Sequence, residues 1–265
     1  MKQETKKVFG TKEWAKYNLN CCKGCKNNCL YCYARYNAVK RFKTMKEGEW
    51  NTEKVQENML KKKFGLRNGT TMFPTTHDIS PGNLDACLIV LDNILAPGNN
   101  VLIVSKPHLY CISSICNRFT EYKEQILFRF TIGASDETIL KYWEPNAPTF
   151  AERMRSLKYA FNSGYKTSIS MEPVLDWPNV VSNFEKMAPF VTDSIWVGAL
   201  NFIDKRVEIK TNKDREMVDE IKKYQNTTNY EKVYGDLKDH PLVKWKESLK
   251  EALGLDIPDE IGMDI

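Results

Sequence analysis

Short apolar runs alternate with longer segments of helical periodicity along most of the chain. Runs such as VLIVS and ILFRFTI are short and apolar, as in the buried strands of a parallel sheet. The predicted strands are residues 15–19, 69–73, 101–105, 126–132, 167–171 and 194–198. The predicted helices are residues 34–46, 52–63, 83–95, 109–117, 151–162, 180–187 and 241–253.

Strands that alternate with helices in this way imply parallel βαβ units. Six such units are too few to close an eight-fold barrel. We therefore expect an α/β fold, specifically a partial (β/α)6 TIM-type barrel with parallel strands and an open side. Residues 1–205 would form this core, and residues 206–265 would form a C-terminal helical extension packed on the barrel. Functional groups should collect at the carboxyl ends of the strands.

Three cysteines follow the first predicted strand in a CxxxCxxC spacing, namely Cys25, Cys29 and Cys32. Three thiolates this close together suit a [4Fe–4S] cluster in which the protein holds three irons and leaves the fourth open. An open metal position usually serves chemistry, because purely structural sites close their coordination shell.

A zinc site is the alternative, built from the two CxxC pairs that begin at Cys22 and Cys29. Zinc ribbons and fingers separate their pairs by about a dozen residues or more, whereas only three residues separate these two pairs. The spacing therefore favours the cluster. We expect the other cysteines to be structural, in the barrel wall or a loop for Cys21 and Cys22, in an apolar helix for Cys87, and isolated for Cys111 and Cys116.

Composition narrows the class of protein but not the substrate. The chain has 265 residues, 42% hydrophobic and 28% charged, with a net charge of +5, which is ordinary for a soluble globular protein. It has no apolar run long enough for a membrane span, and the N-terminal MKQETKKVFG lacks the apolar core of a secretory signal. With the reduced thiolates that a cluster needs, this predicts a cytoplasmic protein. Basic islands at residues 61–63 and 222–223 permit a nucleic-acid substrate without requiring one.

The cysteine spacing, with Tyr31 before the third cysteine, resembles the radical S-adenosylmethionine (radical SAM) superfamily. The string NLNCCKGCKNNCLYCYARY is more narrowly similar to the spore photoproduct lyase (SplB)-like subgroup. Three later stretches agree, at residues 104–107, 128–137 and 143–176. The resemblance implies a [4Fe–4S] cluster, S-adenosyl-L-methionine (AdoMet) and an external one-electron donor of the flavodoxin or ferredoxin type. It also implies that a 5′-deoxyadenosyl radical abstracts hydrogen from the substrate, in a lyase- or transferase-like reaction.

The same resemblance implies roles for individual residues. Cys25, Cys29 and Cys32 would ligate the cluster. The cofactor would be contacted by Tyr31 at the adenine, Asp78 at the ammonium group, Lys106 at the carboxylate, Thr131 through its hydroxyl, and Ser135 or Asp136 at the ribose. Tyr33 would act in a radical relay and His77 would face the substrate. Glu144 and Arg153 are weaker matches.

Each of these side chains also has a simpler structural interpretation. Lys106 could be an exposed loop lysine, and Thr131 could be a strand residue chosen for β propensity. Glu144 and Arg153 could form a surface ion pair. Tyr31, Tyr33 and His77 could be packing residues. Four further candidates at strand ends could line a substrate pocket, namely Tyr110, Glu172, Trp196 and Asn201.

One feature of the SplB-like subgroup is missing from this chain. Spore photoproduct lyase carries a cysteine at the end of strand two, and the corresponding place here falls at about Thr75. Repair of thymine photodimers by that route is therefore not expected. The leading hypothesis is radical SAM chemistry on a nucleic acid or nucleotide. The alternatives are radical SAM modification of a peptide or protein, and a non-catalytic iron–sulfur or zinc module.

Overall fold

Seven parallel strands form the central sheet of the computed structural model, which describes residues 8–262. Residues 1–7 of the N-terminal MKQETKKVFG and residues 263–265 of the predicted C-terminal extension lie outside this range. The strand order is β1-β4-β5-β6-β7-β8-β9. The bounds are β1 Tyr17–Asn18, β4 Thr71–Met72, β5 Val101–Ser105, β6 Ile126–Thr131, β7 Lys166–Met171, β8 Ile195–Val197 and β9 Val243–Trp245. The remaining two strands, β2 Cys22–Lys23 and β3 Lys54–Val55, form an antiparallel pair.

All neighbouring strands of the sheet run parallel, so their carboxyl ends meet along one edge. Over residues 8–262, the edge strands β1 and β9 do not pair with each other, and the sheet stays open. The predicted α/β fold and open partial barrel are confirmed. The structure also shows that the sheet gains a seventh strand from the C-terminal extension.

The longer strands are buried on both faces, which explains their continuous apolar sequences. Ile103, Phe128 and Ile169 on β5, β6 and β7 are fully buried, as is Leu91 on the helix that follows β4. Parallel strands covered by helices lose the polar–apolar alternation of half-exposed strands. Burial of each such side chain contributes about 1.5–3 kcal/mol to the free energy of folding.

The helices pack against this sheet, and their bounds follow the predicted periodicity in the central region. They are α1 Tyr33–Arg35, which continues as the π-helix Tyr36–Arg41, then α2 Glu57–Leu60, α3 Leu84–Leu95, α4 Leu109–Arg118, α5 Glu137–Trp143, α6 Phe150–Asn162, α7 Val180–Met187, α8 Ile203–Arg206, α9 Asn212–Tyr224, α10 Thr227–Leu237 and α11 Glu247–Leu253. No helix within the described range is both long and apolar enough to cross a membrane.

Three predicted helices are wrong in part. The helix predicted over residues 34–46 ends at Arg41. The other two errors have a cause in strand pairing. The segment 52–63 contains only the short helix α2, because Lys54 pairs with Lys23 and draws the chain into a strand. The segment 241–253 begins with strand β9, in which Trp245 pairs with Val197 of β8, and only then turns into α11. Sheet pairing supplied by distant residues overrides local helix propensity at both places.

Gly133, just after β6, allows two strand ends to approach closely. A Cβ atom at this position would lie 2.2 Å from the backbone oxygen of Pro173. We predict that Gly133→Ala destabilises the protein by about 1–3 kcal/mol, because the backbone cannot retreat without moving both strand ends. Urea unfolding under anaerobic conditions measures the change.

The matched control is Gly235→Ala on helix α10, where a Cβ meets nothing within 4 Å. This variant should gain up to about 1 kcal/mol from helix propensity. Equal stability of the two variants would contradict the close approach at Gly133.

Candidate active site at the carboxyl ends of the strands

A cavity of about 600 Å³ lies at the carboxyl edge of the sheet. Cys25, Cys29 and Cys32 all line it, together with Asp78 from the loop after β4 and Lys106 from the end of β5. The three cysteines predicted as cluster ligands therefore share one cavity with the two ionic residues predicted to contact the cofactor. Parallel-barrel folds place their reactive groups at this edge of the sheet.

The turn that leads into the cysteine segment depends on a glycine. Gly24 has a φ of +84°, and a Cβ there would lie 2.3 Å from the backbone oxygen of Thr52. Only glycine combines this left-handed conformation with such a close backbone approach. Directly after it, the backbone N–H of Cys25 donates to the carbonyl of Trp50 at 2.8 Å. The first predicted ligand is thus held against the segment that follows the π-helix.

Cys32 lies at the start of helix α1, and Cys29 is buried. The Sγ of Cys32 caps α1 by accepting a bond from the backbone N–H of Arg35 at 3.4 Å. Burial raises the pKa of Cys25, Cys29 and Cys32. A bound metal would reverse this, because a coordinated thiol gives up its proton.

The spacing of the three thiols fits a multi-iron cluster better than a single ion. Ligands of one zinc ion sit about 2.0–2.3 Å from the metal, so they crowd within about 4–5 Å of one another. Within residues 8–262, the group of three ligand atoms that meets such a limit is Cys21, Cys22 and His77, which does not include Cys29 or Cys32. Thiols that line one cavity but stand farther apart suit a cluster whose irons each take one cysteine.

Lys106 is buried between two carboxylates and is not an exposed loop lysine. Its Nζ lies 3.9 Å from Asp78 Oδ2 and 3.9 Å from Glu144 Oε1, and the residue is 8% exposed. Burial lowers the pKa of Lys106, but the anionic groups around it raise the pKa more, so the net shift is well upward. At these distances the ammonium makes no direct hydrogen bond to either carboxylate. It can therefore donate to a ligand in the cavity.

Asp78 is held as an anion at the floor of the cavity. Its carboxylate accepts bonds from the backbone N–H of Lys106 at 2.7 Å and from the side chains of Asn27 and Ser105 at 2.9 and 3.2 Å. Burial alone would raise the pKa of Asp78, but Lys106 and these hydrogen bonds leave it below its usual value. Asn27 is a member of this site that sequence reasoning missed, because an asparagine inside a cysteine loop carries no distinctive signal.

Glu144 and Arg153 form a fully buried ion pair rather than a surface pair. The guanidinium of Arg153 lies 2.5 Å from Glu144 Oε2, and both side chains are 0% exposed. The phenol of Tyr31 donates to the other oxygen of Glu144. Arg153 also donates to the backbone oxygen of Thr131 at 3.2 Å. This network fixes Tyr31 beside Cys29 and ties β6 to helix α6.

The remaining predicted cofactor residues fall into two groups. Thr131 lines the cavity and is 8% exposed, so its hydroxyl can reach a ligand there. Ser135 is not among the described residues that line the cavity, and its hydroxyl contacts Lys186 at 3.3 Å. Asp136 caps helix α5 by accepting from the backbone N–H of Thr138 at 2.7 Å. A contact of Ser135 or Asp136 with the ribose stays a prediction.

Tyr33 and His77, the two predicted catalytic residues, both line the cavity but have partners within the chain. The Tyr33 hydroxyl donates to the backbone oxygen of Thr75 at 2.5 Å. The Nε2 atom of His77 accepts from the backbone N–H groups of Cys21 and Cys22, each at 3.3 Å. Both ring nitrogens of His77 are engaged, since Nδ1 contacts the carbonyl of Asp78 at 3.0 Å. A catalytic role for either residue stays a prediction.

The four candidates for a substrate pocket separate by position. Glu172 and Asn201 line the cavity. Tyr110 is 64% exposed and, like Trp196, lies outside the set of described cavity residues. Trp196 is buried in strand β8, where its indole N–H donates to Ser194 at 2.9 Å.

The mouth of the cavity carries Phe202 and Arg206, which sequence reasoning missed. Phe202 is 63% exposed in a left-handed conformation, and the guanidinium of Arg206 lies 5.3 Å from its ring centroid. Phe9 and Arg41 line the same cavity. The residues around Phe202 follow β8 without strong periodicity. Only the proximity of Phe202 to Arg206 in sequence could have suggested their contact.

A lysine among three carboxylates borders the far wall of the cavity and was also missed. Lys246, directly after β9, lies 2.6 Å from Glu13, 3.5 Å from Glu172 and 3.4 Å from Glu247. Its ammonium also faces the ring of Trp14 at 4.2 Å. Burial raises the pKa of Glu13 above its usual value, while the ammonium of Lys246 acts in the opposite direction. The cluster joins the N-terminal and C-terminal ends of the described chain behind the cavity.

Two of the solved structures that match this chain in fold were determined with S-adenosylmethionine bound. A variant of spore photoproduct lyase with bound AdoMet and dinucleoside spore photoproduct superposes with a TM-score of 0.57 at 12% identity, over 92% of this chain and 79% of that one. Streptococcus suis SuiB bound to S-adenosylmethionine matches with a TM-score of 0.54 at 10% identity, over 93% of this chain and 54% of SuiB. The chain has the fold of these AdoMet-binding proteins. The resemblance predicted from sequence is thereby confirmed at the level of fold.

Sequence comparisons add less. No family model matches the chain. An uncharacterized protein of Acidianus two-tailed virus, ORF301, is 27% identical in an alignment of 180 residues that covers 63% of this chain. The match spans 58% of the length of that relative.

The buried pair of Arg153 with Glu144 predicts a large effect on stability. Arg153→Ala should lower the free energy of unfolding by about 3–5 kcal/mol, because it leaves the Glu144 carboxylate buried without a counter-charge. The control is Arg118→Ala, whose partner Asp92 is 40% exposed and which should cost at most about 1 kcal/mol. Urea unfolding of the cluster-free protein measures both, and equal losses would show that the buried network does not stabilise the site.

Proposed function

We propose that the chain is a radical SAM enzyme that acts on a nucleic acid. The observation that carries the proposal is the meeting of three cysteine thiols with Asp78 and Lys106 in one cavity at the carboxyl edge of the sheet. The thiols supply the ligand set of an open iron–sulfur cluster. The ion pair supplies opposite charges suited to the amino and carboxylate groups of AdoMet.

The chain's own residues would bind and orient the cofactor. Lys106 remains cationic and has no direct hydrogen bond to its neighbouring carboxylates, so it suits the AdoMet carboxylate. Asp78 remains anionic and suits the ammonium group. Tyr31, fixed by Glu144, would border the adenine, and the Thr131 hydroxyl would offer a further bond.

With an electron from a flavodoxin- or ferredoxin-type donor, the bound cluster and AdoMet would supply a 5′-deoxyadenosyl radical that abstracts hydrogen from the substrate. The chain's share is to hold the reacting groups together and to exclude water. Buried aromatic side chains surround the cysteines on two sides, with Tyr31 and Trp143 behind Cys29 and Trp50 behind Cys25. Their apolar surfaces would keep solvent from the reacting centre.

The mouth of the cavity supports a nucleic-acid substrate. Arg41, Lys205 and Arg206 offer charges to phosphates, and the exposed ring of Phe202 offers a stacking surface for a base. Single-stranded nucleic acids are bound by this combination of cations and aromatic faces. Thr75 lines the cavity, and the resemblance would place the cysteine of spore photoproduct lyase at about this position. We therefore propose a reaction other than repair by thiol hydrogen return.

The first test is cofactor cleavage. The protein, purified and reconstituted without oxygen, should bind about four irons per chain and form 5′-deoxyadenosine when AdoMet and dithionite are added. Cys29→Ala should lose both the iron and the product. Cys111→Ala, a buried thiol on helix α4, is the matched control and should keep both.

Chromatography with mass detection measures 5′-deoxyadenosine, and elemental analysis measures iron. The proposal fails if fully iron-loaded protein forms no 5′-deoxyadenosine, or if Cys29→Ala keeps full activity.

The second test concerns the substrate. Single-stranded DNA and RNA oligonucleotides should bind at low salt, and binding should weaken steeply as salt rises, because phosphate contacts release counterions. Phe202→Ala should weaken binding about 5- to 150-fold, equivalent to about 1–3 kcal/mol of base stacking. Phe42→Ala is the control, since Phe42 is 60% exposed and stacks with Arg41 but lies outside the described cavity lining.

Fluorescence anisotropy measures both affinities. Binding that is insensitive to salt, or equal effects of the two phenylalanine changes, would contradict a nucleic-acid substrate at this mouth. Cleavage of AdoMet stimulated by peptides and not by nucleic acids would transfer the proposal to peptide modification.

A further inference from the structure

Behind the proposed cluster site lies a second group of metal-ligating side chains that the proposed reaction does not use. Cys21 and Cys22 precede the cluster loop, His77 follows strand β4, and Cys87 lies on helix α3. All four are buried, with exposed fractions of 0%, 1%, 5% and 0% in that order. Three separate parts of the chain thus bring thiols and an imidazole together in the interior.

The distances from Cys21 match the edges of a tetrahedral metal site. Its Sγ lies 3.8 Å from the Sγ of Cys22, 3.8 Å from Nε2 of His77 and 3.5 Å from the Sγ of Cys87. Zinc–sulfur bonds of about 2.3 Å in tetrahedral geometry place two sulfurs about 3.8 Å apart. The ligand atoms of Cys21, Cys22 and His77 all lie within 4.8 Å of one another.

His77 is already oriented as a metal ligand would be. Its Nδ1 lies 3.0 Å from the carbonyl oxygen of Asp78, which can only accept, so Nδ1 carries the proton. The lone pair therefore sits on Nε2, which faces Cys21 and Cys22. Metal-ligating histidines donate their other ring N–H to a carbonyl or carboxylate in this manner. The two backbone bonds to Nε2, each 3.3 Å long, are weak ones that a metal could replace.

The electrostatic surroundings favour a bound cation. The carboxylate of Glu53 acts electrostatically on both Cys22 and His77 and adds a negative charge near the group. A divalent ion would offset two of the three thiolate charges and leave the site with a net charge of −1. Thiolate and imidazole together are the ligands that Zn²⁺ prefers in proteins.

We propose that Cys21, Cys22 and His77 bind one zinc ion, with Cys87 as the fourth ligand. On binding, each coordinated thiol gives its proton to solvent as its sulfur–zinc bond forms, and no electron is transferred. The Cys87 thiol, which donates to Asn83 Oδ1 at 3.3 Å in the metal-free chain, would turn toward the ion. The zinc would bind the start of the cluster loop to the end of β4 and to α3. It would thereby position the segment that carries Cys25.

The test is metal analysis of the full chain, purified without oxygen and reconstituted with iron and sulfide in the presence of Zn²⁺. The wild type should bind about one zinc in addition to about four irons. Cys21→Ala and His77→Ala should each lose the zinc, while Cys111→Ala, a buried thiol on another helix, should keep it. Because Cys87 is the peripheral ligand, Cys87→Ser should weaken zinc affinity at least tenfold without abolishing binding.

A variant in which Cys25, Cys29 and Cys32 are all changed to Ala separates this site from the cluster. It should bind no iron–sulfur cluster but still one zinc. Cobalt(II) in place of zinc should give thiolate charge-transfer absorption in this variant, and His77→Ala should abolish that absorption. Circular dichroism of each variant shows whether it is folded.

Three results would overturn the proposal. In the first, the wild type binds no more zinc than Cys21→Ala does. In the second, the variant without the three cluster cysteines binds no zinc. In the third, mass spectrometry finds a Cys21–Cys87 disulfide in the anaerobic protein. None of these results bears on cleavage of AdoMet, so the proposed function and the zinc site stand or fall separately.

Discussion

The buried ammonium of Lys106 is the charge around which the cavity is organised. It lies between Asp78 and Glu144, and each carboxylate is itself tied to a different part of the fold. Asp78 is held by the end of β5 and by Asn27 of the cysteine loop, and Glu144 is held by Arg153 on helix α6. Charges removed from water must be paired and hydrogen-bonded. The ionic network therefore fixes the ends of the strands relative to one another around the cavity that the cysteines line.

The sheet and this network support one another. Parallel strands bring their carboxyl ends to one edge, so polar groups that end successive strands must be satisfied together. Lys106 and Thr131 lie at that edge, at the ends of the apolar strands β5 and β6. Arg153 on helix α6 packs against the same edge and donates to the backbone oxygen of Thr131. A core that is rigid on both faces allows such groups to be held without water. The same rigidity would suit chemistry in which a reactive group must meet only its intended partner.

Local signals made much of this arrangement predictable. The spacing of Cys25, Cys29 and Cys32 is short and specific, and Lys106 follows a strongly apolar strand. The mouth was not predictable, because Phe202 and Arg206 become neighbours of the cysteines only through the turn after β8. The sequence predicts a helix where strand β9 lies, because three residues cannot reveal a strand-pairing partner from elsewhere in the chain. Ser135 also follows a strand end, and its hydroxyl contacts Lys186, so its contact with the cofactor stays a prediction.

Lys246 has a bearing on how the protein is made. Its ammonium bonds to Glu13, 233 residues earlier in the chain, and faces Glu172 at the cavity wall. During synthesis, the first strands and the cysteine loop leave the ribosome long before Lys246 does. Until then the carboxyl of Glu172 lacks this counter-charge and the sheet lacks its last strand. The far wall is therefore complete only once β9 has joined β8, and a nascent chain without β9 would present its thiols in an unfinished cavity.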